Sequence, residues 1–416
     1  MTGKNKSLCV VAGASGGHLI PALVVARNWK KANPSGIVIL WTSAKELDRR
    51  VVHDYPFVDK IIALGVKPFS LRPDKLISCV FGLATSFFKA KFTFSKYRPE
   101  KLVSTGGILA LPVAYAAYWS NVPVVLYELN AIPGKATKAL AGLAKEINIV
   151  FKSASAYFKK LDPAFGEKCK LVNYPLKFEG ENVDFPKSRA LGLMNDKIEK
   201  NYKLEGKPLH FQLARKTIFV FGGSQGSESF NEFMRKLLKI RENKAEKIQV
   251  IHQIGSESEK RWQRQYQKES IPALVFSYTS NIEECYKVAD LVFTRAGAGS
   301  LFEIAEFKKK ALVVPLESVN GVPIADSHQL FNACEMEKAH PELFTVFNQE
   351  AIEGNIRKIV SKMFELMKTD EKPKPVAMKP ARRATKASAT KPAKKNTSAK
   401  AMVKAKKVST TRSKGA

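Results

Sequence analysis

Gly13-Ala14-Ser15-Gly16-Gly17-His18 follows the apolar run Leu8-Cys9-Val10-Val11-Ala12 and precedes Leu19-Ile20-Pro21-Ala22-Leu23-Val24-Val25-Ala26. The first run has the length and character of a buried strand, and the second repeats apolar residues at helical spacing. A strand, a glycine turn and a helix in that order let backbone N–H groups and a helix N-terminus approach an anion together. His18 stands at the mouth of the turn, where an imidazole that titrates near neutrality can accept a proton. Taken alone, the motif reads equally as a strand-to-helix turn with a surface histidine.

The pattern continues outward. Strands are predicted at 8–12, 37–42, 60–64, 101–104, 122–127, 146–150 and 169–172, with helices at 19–32, 75–96, 109–120, 133–144 and 153–161. Such alternation implies a parallel sheet covered by helices on both faces. Ligands in that architecture bind beyond the carboxyl ends of the strands. Three loops lie at such ends and are expected to converge: residues 13–18, Thr105-Gly106-Gly107 and Glu128-Leu129-Asn130-Ala131.

The pattern restarts after a polar stretch. Thr217-Ile218-Phe219-Val220-Phe221 leads into Gly222-Gly223-Ser224-Gln225-Gly226-Ser227 and a helix at 228–240. Further strands are predicted at 249–252, 274–276, 291–294 and 311–315, and helices at 257–267, 282–288, 300–307, 326–338 and 351–367. The expected organisation is therefore an α/β domain over 1–177, a linker over 178–215 with one helix near 188–202, and a second α/β domain over 216–368. Two such halves face one another across a cleft.

Neither glycine loop fits GxxxxGK[ST], which argues against a P-loop ATPase, and residues 13–18 depart from the GxGxxG spacing of dinucleotide sites. The second loop can still cradle a phosphate, with the Ser224 hydroxyl as an added donor. Thr294-Arg295-Ala296-Gly297-Ala298-Gly299-Ser300-Leu301-Phe302-Glu303 turns through small residues into a helix with a carboxylate in an early turn. That arrangement suits a diphosphate at the helix start and ribose hydroxyls on Glu303, or simply a helix whose dipole is complemented by an acid. Farther on, His328-Gln329-Leu330-Phe331-Asn332 sets two amides three residues apart on one helical face, where they can read sugar hydroxyls or cap the helix.

The chain has 416 residues and a formal net charge of +31. From Lys372 to Ala416 there are fifteen lysines and arginines and no acid, so about half of the excess lies in this tail. Its Lys/Ala/Pro/Ser/Thr composition cannot bury enough apolar surface to fold, and 369–416 is expected to be disordered, either a solvated extension or a polyanion-binding tail. The five cysteines are scattered without metal-ligand spacing, as expected of buried thiols in a reducing cytosol. No metal or cofactor site is read, and no signal peptide; the longest apolar stretch, 108–119, is too short to span a bilayer. Residues 66–98 combine an apolar helical face with Lys67, Arg72, Lys75, Lys89, Lys91, Lys96 and Arg98. This is either a core-facing helix with solvated charges or a patch that docks on an anionic bilayer.

Gly16-Gly17-His18 with Pro21-Ala22, Thr105-Gly106-Gly107, Tyr127-Glu128-Leu129-Asn130, Asn173-Tyr174-Pro175, Gly222-Gly223-Ser224-Gln225-Gly226, Arg295-Ala296-Gly297-Ala298 with Glu303, and His328-Gln329 with Asn332-Ala333 occur in one order. Across about residues 7–367 this set resembles the MurG transferases of glycosyltransferase family 28. The resemblance implies a GT-B fold with two Rossmann-like domains, UDP-N-acetylglucosamine as donor and lipid I as acceptor, giving lipid II for peptidoglycan. It implies a peripheral enzyme at the cytoplasmic face of the inner membrane, near the cell-wall and division machinery.

By that likeness Thr279 and Ala298, Gly299 and Ser300, with Leu301 and Phe302 in the same segment, lie near the uracil and phosphates. Glu303 takes the ribose, Ser224 the diphosphate and Gln329 the sugar. Ser15, Gly16, Gly17 and Asn130 complete the site from the first domain, and Gly106, Gly107 and Glu128 lie on the acceptor side. His18 acts as general base for inverting attack by the acceptor hydroxyl, and no metal or cofactor is called for. Lys177 is a further substrate-binding candidate; it stands where the family has arginine, and an ammonium does not offer a guanidinium's bidentate phosphate contact. Tyr127 and Leu129 replace the usual histidine and glutamine. The linker and the loop 317–325 are longer, and the basic tail has no family counterpart. Alternatives are another UDP-sugar enzyme of the same fold (a glycolipid transferase or a UDP-N-acetylglucosamine 2-epimerase) and a nucleic-acid-binding protein acting through its tail.

Overall fold

A computed structural model describes residues 6–12, 16–43, 45–66, 73–178, 185–201, 209–223, 226–240, 248–319, 322–323 and 328–368. The tail, residues 67–72 of the basic patch, and Ser15 and Ser224 of the expected site fall outside these residues.

The first half builds β1 (Ser7–Val11), α1 (Gly16–Ala32), β2 (Ile37–Ser43), α2 (Glu46–His53), β3 (Lys60–Leu64), α3 (Pro73–Tyr97) and β4 (Lys101–Ser104). It continues through α4 (Ala110–Tyr118), β5 (Val124–Glu128), α5 (Lys135–Leu140), β6 (Ala144–Ile149), α6 (Ala154–Leu161), α7 (Pro163–Glu167) and β7 (Cys169–Leu171). Its seven strands lie in the order β3-β2-β1-β4-β5-β6-β7, and all pair in parallel.

Side chains alternate across this sheet, and both faces are dry. Leu8 and Val10 pack toward α1 and α2, whereas Cys9 and Val11 pack toward α3, α4 and α6. A strand buried on both faces has no polar positions, which is why residues 8–12 read as an unbroken apolar run. The sequence pattern missed α2 because its apolar face is short. Its anchor is polar: the buried Asp48 carboxylate accepts hydrogen bonds from Thr42 Oγ1 and from the Ser43 amide and hydroxyl.

After β7 come α8 (Lys187–Asn201), β8 (Lys216–Phe221), α9 (Glu228–Lys239), β9 (Ile248–Gln253), α10 (Glu259–Lys268), β10 (Ala273–Phe276), α11 (Ile282–Val288), β11 (Leu291–Thr294), α12 (Ala298–Glu306) and β12 (Ala311–Val313). The two-residue strands β13 (Ser318–Val319) and β14 (Val322–Pro323) pair antiparallel within the expected long loop. The described chain ends with α13 (His328–Ala339), β15 (Phe344–Val346), α14 (Gln349–Gly354) and α15 (Ile356–Lys368). The second sheet is also parallel, in the order β10-β9-β8-β11-β12-β15.

Three local differences from the sequence reading have physical causes. The helix predicted at 351–367 is interrupted at Asn355, whose side chain accepts from the Lys358 amide and starts α15 as a cap. Strand β15 has only three residues, too few for a period to register. Residues 185–201, read as part of a linker, contribute Ala190, Leu191, Met194 and Ile198 of α8 to the core of the second sheet, beside Cys285 and Val288 of α11. The apolar spacing of α8 was present but diluted by its charges.

In each sheet the strand order reverses at one place: β1 lies between β2 and β4, and β8 lies between β9 and β11. A crevice opens at such a reversal because the flanking helices leave on opposite faces. The turns at these two points carry His18 and Thr105 in the first half, and Gly223 and Gly297 in the second.

Candidate active site

The two crevices share one cavity of about 480 Å³, a size that holds a sugar nucleotide. Gly16, Gly17, His18 and Asn130 line it from the first half, and Lys177 from the connection. Thr279, Ala298, Gly299, Ser300, Glu303 and Gln329 line it from the second. A second cavity of about 440 Å³ adjoins it and is lined by Gly107, Glu128, Lys135 and Thr137. His18, Asn130 and His328 line both.

The start of α1 and the start of α12 both border the larger cavity. Two helix N-termini around one space favour a ligand with two negative groups. At the second glycine turn, Gly226 has φ +77, and a Cβ there would stand 2.6 Å from the Gly255 Cα, so no other residue fits. Beside that turn Arg295 ties the segment after β12 to the start of α9, donating to the Val314 and Pro315 carbonyls and to the Ser229 hydroxyl. A buried guanidinium is retained when its donors are all directed at acceptors.

His18 is oriented by its neighbour strand. Its Nδ1 lies 2.6 Å from the Thr105 carbonyl oxygen, and a carbonyl can only accept. Nδ1 therefore carries a proton, and in the neutral ring the lone pair falls on Nε2, the form a general base needs. Thr105 Oγ1 donates to the His18 carbonyl at 3.0 Å, which ties the two crevice loops together. Gly106, at φ +94, passes beside the ring: a Cβ there would lie 3.7 Å from His18 Cε1.

Glu303 is half-buried at the cavity wall, and its Oε2 accepts from the Tyr286 hydroxyl at 2.8 Å. Burial pushes its carboxyl up to about 7, opposed by the Tyr286 hydrogen bond and the Lys177 ammonium and assisted by the Glu283 charge. Lys177 Nζ donates to the Ser280 carbonyl at 2.7 Å, so this cation is anchored to the loop after β10. Gln329 Oε1 accepts from the Leu316 amide, and Thr279 Oγ1 from the Asn281 amide.

Two expected residues sit elsewhere, and a third, at the wall of the second cavity, is engaged by its own loop. Leu301 is fully buried in the core. Phe302 stacks on Tyr174 at 4.8 Å and packs on Phe151 at 5.1 Å, sealing the two halves against each other. The side chains of Leu301 and Phe302 thus leave the cavity, because α12 turns its 301–302 face inward. Glu128, expected on the acceptor side, uses Oε1 for the Asn130 amide and side chain and Oε2 for the Gly134 amide; it shapes the loop. Tyr278, Ser280, Gln253 and Phe221 line the cavity without having been expected. Their signal was their place at the carboxyl ends of β8, β9 and β10, where parallel sheets gather ligands.

The glycosyltransferase family 28 N-terminal domain model matches residues 8–149 and the C-terminal domain model matches residues 217–396. A transferase of Halothermothrix orenii, named UDP-N-acetylglucosamine--N-acetylmuramyl-(pentapeptide) pyrophosphoryl-undecaprenol N-acetylglucosamine transferase, is 30% identical, over 90% of this chain and 94% of its own. The crystal structure of Acinetobacter baumannii MurG superposes with TM-score 0.58 at 20% identity, covering 87% of this chain and 92% of that one. A UDP-GlcNAc 2-epimerase from Neisseria meningitidis, bound to UDP-GlcNAc, also superposes, with TM-score 0.51 at 12% identity over 86% of this chain and 99% of its own. The superpositions establish the GT-B fold, which transferase and epimerase share, so architecture alone does not separate them. The matched domain models and the 30% identical relative do: this chain belongs to glycosyltransferase family 28.

Proposed function

We propose that the protein transfers N-acetylglucosamine from UDP-N-acetylglucosamine to lipid I, forming lipid II. The observation that carries this reading is the shared cavity, with the His18 imidazole on one side and Glu303 and Gln329 on the other. The nucleotide lies against the second half, its ribose on Glu303, its base near Tyr278 and Thr279 and its diphosphate at the start of α12. The acceptor sugar enters through the adjoining cavity beside Gly107 and Lys135. His18 Nε2 removes the proton of the acceptor hydroxyl as its oxygen attacks the anomeric carbon and UDP departs on the opposite face. Backbone N–H groups of the two helix starts take up the charge that develops on the leaving diphosphate. An epimerase would need carboxylates poised over the sugar, and Glu128 is engaged with its own loop. The test is incubation with labelled UDP-N-acetylglucosamine and a lipid I analogue: label in the lipid product supports the reading, and label recovered only as an epimerised nucleotide overturns it.

The acceptor's lipid anchor calls for a membrane-facing surface, and α3 supports that reading. Ile77, Val80, Phe81, Phe88 and Phe92 are exposed along it, with Tyr118 and Trp119 beside them at the end of α4. Lys89, Lys91 and Lys96 flank this surface, and Lys91 Nζ donates to the Trp119 carbonyl. Apolar bodies with a basic rim suit shallow insertion into an anionic leaflet. No described helix is long and apolar enough to cross a membrane. Flotation with vesicles is the check: binding that rises with anionic lipid and falls with salt is expected, and indifference to lipid charge excludes it.

A further inference from the structure

Asn130 stands between the two halves of the cleft, and its side chain is engaged from both directions. Its Nδ2 donates to Glu128 Oε1 at 3.2 Å, and its Oδ1 accepts from Asn332 Nδ2 at 3.1 Å. Asn332 belongs to α13, the helix that also carries Gln329. Its Oδ1 accepts from the Ala131 amide at 2.8 Å, and its Nδ2 also faces the Ala296 carbonyl at 3.4 Å.

The orientation of both amides follows from chemistry. A carboxylate accepts, so the Asn130 NH2 group must face Glu128 and its oxygen must face Asn332. A backbone N–H donates, so the Asn332 oxygen must face Ala131 and its NH2 group must face Asn130. Glu128 and Asn332 are almost wholly buried, at 2% and 1% exposure. Each polar group in such a place needs its partner, and losing one leaves the other unsatisfied. Beside this chain, His328 Nδ1 lies 3.1 Å from the Ile132 carbonyl, so the start of α13 rests along the whole 130–132 turn.

We infer that Asn332 is a positioning residue: the chain Glu128–Asn130–Asn332 locks the acceptor-side loop to the donor-side helix and sets the two substrates in register. This goes beyond, and rests on, the proposed transfer reaction, because it assigns Asn130 to joining the halves and gives the sugar-reading helix a fixed stop. Proximity of two reactants depends on such stops, and a small misplacement costs rate without costing affinity. Asn332 also borders the larger cavity beside Gln329, but its amide is engaged with Asn130, Ala131 and Ala296, so it acts on kcat, through Asn130 and α13, rather than on UDP affinity.

The experiment compares the full-length protein with Asn332→Ala and Asn332→Asp. The aspartate keeps an acceptor for the Ala131 amide but sets an oxygen against Asn130 Oδ1. Three readouts are taken on each: kcat and KM for transfer, UDP affinity by calorimetry, and amide hydrogen exchange at Ala131 and Gly134. For Asn332→Ala, kcat falls about tenfold or more, UDP affinity stays within about twofold, and Ala131 exchange accelerates. Asn332→Asp loses a similar factor in kcat but retains more protection at Ala131. Unchanged kcat with unchanged exchange overturns the inference, as does a loss confined to UDP affinity. Retained UDP affinity shows that the second half is folded in each variant. If the unaltered protein shows no transfer while Ala131 exchange still responds to Asn332, the reaction assignment fails and the lock between the halves stands.

Discussion

The two halves of the molecule share a sheet plan and differ in where they put their aromatic side chains. In the second half they are inside: Phe219 stacks on Phe221 at 4.6 Å and Phe230 on Phe293 at 4.3 Å, and the Tyr286 ring packs on Phe307 at 5.2 Å. In the first half the helix over the central strands is built from small residues, with Ala110, Ala114, Ala116 and Ala117 fully buried. Trp41, Phe94 and Phe158 are buried in that half too, but a further set of large aromatics is turned outward, with Phe81, Phe88, Phe92 and Trp119 each about two-thirds exposed or more. Large rings packed at fixed angles make a stiff wall, and the stiff wall is where Tyr286 holds Glu303. On the proposed reading, the contrast separates a half that would recognise a nucleotide by a preset pocket from a half that would meet a lipid-borne acceptor.

The strongest way to break this contrast is His18→Ala. Removing a positioned general base lowers turnover by about 10²–10⁴-fold. Because His18 acts on the acceptor hydroxyl in the proposed reaction, UDP affinity in the variant is expected to stay within about threefold, measured by calorimetry. A comparable loss of nucleotide affinity would show that the halves do not divide the work.

Glu303→Ala is the mirror test, with an expected rise of about tenfold or more in donor KM and a smaller change in kcat. Its pH dependence sharpens the point. The carboxyl is held up to about 7, so it loses its charge as pH falls through that value. Donor KM should rise between pH 8 and pH 6 in the unaltered protein and stay flat in Glu303→Gln. The same shift predicts a stability effect of opposite sign. The folded carboxyl keeps its proton until about pH 7, against an ordinary value of 4.5, so folding loses stability as pH rises through that window. Glu303→Gln should therefore have the higher denaturant midpoint at pH 8, the advantage shrinking as the pH approaches 4.5.

A smaller effect is expected from the outward aromatics. Phe81→Ser with Phe88→Ser should reduce vesicle binding about tenfold and leave transfer to a short-chain, water-soluble acceptor unchanged. Loss of transfer to the soluble acceptor would place these rings in the fold rather than on a docking surface.

Much of this was legible in the residue pattern. Runs such as 8–12 and 217–221 announced double-sided burial, and the two glycine turns marked both switch points. His18, Glu303 and Gln329, which line one cavity, stood out in the sequence because turns and helix starts have strong local signals. Other parts of the site were not legible, for reasons of distance. Tyr286 reads as one more apolar residue of a short helix until the fold brings it to Glu303, seventeen residues on. Asn332 and Asn130 are 202 residues apart, and only tertiary structure shows that each amide's partner is the other. Leu301 and Phe302 failed in the opposite sense. They share a motif with cavity-lining residues, but the helical turn carries their side chains to the far side.

Nucleotide binding in the absence of turnover separates the halves most cleanly. We expect UDP titrated calorimetrically into His18→Ala to bind as it does to the unaltered protein, and into Glu303→Ala to bind at least about tenfold more weakly. Weakened binding in His18→Ala with unaltered binding in Glu303→Ala would contradict the account.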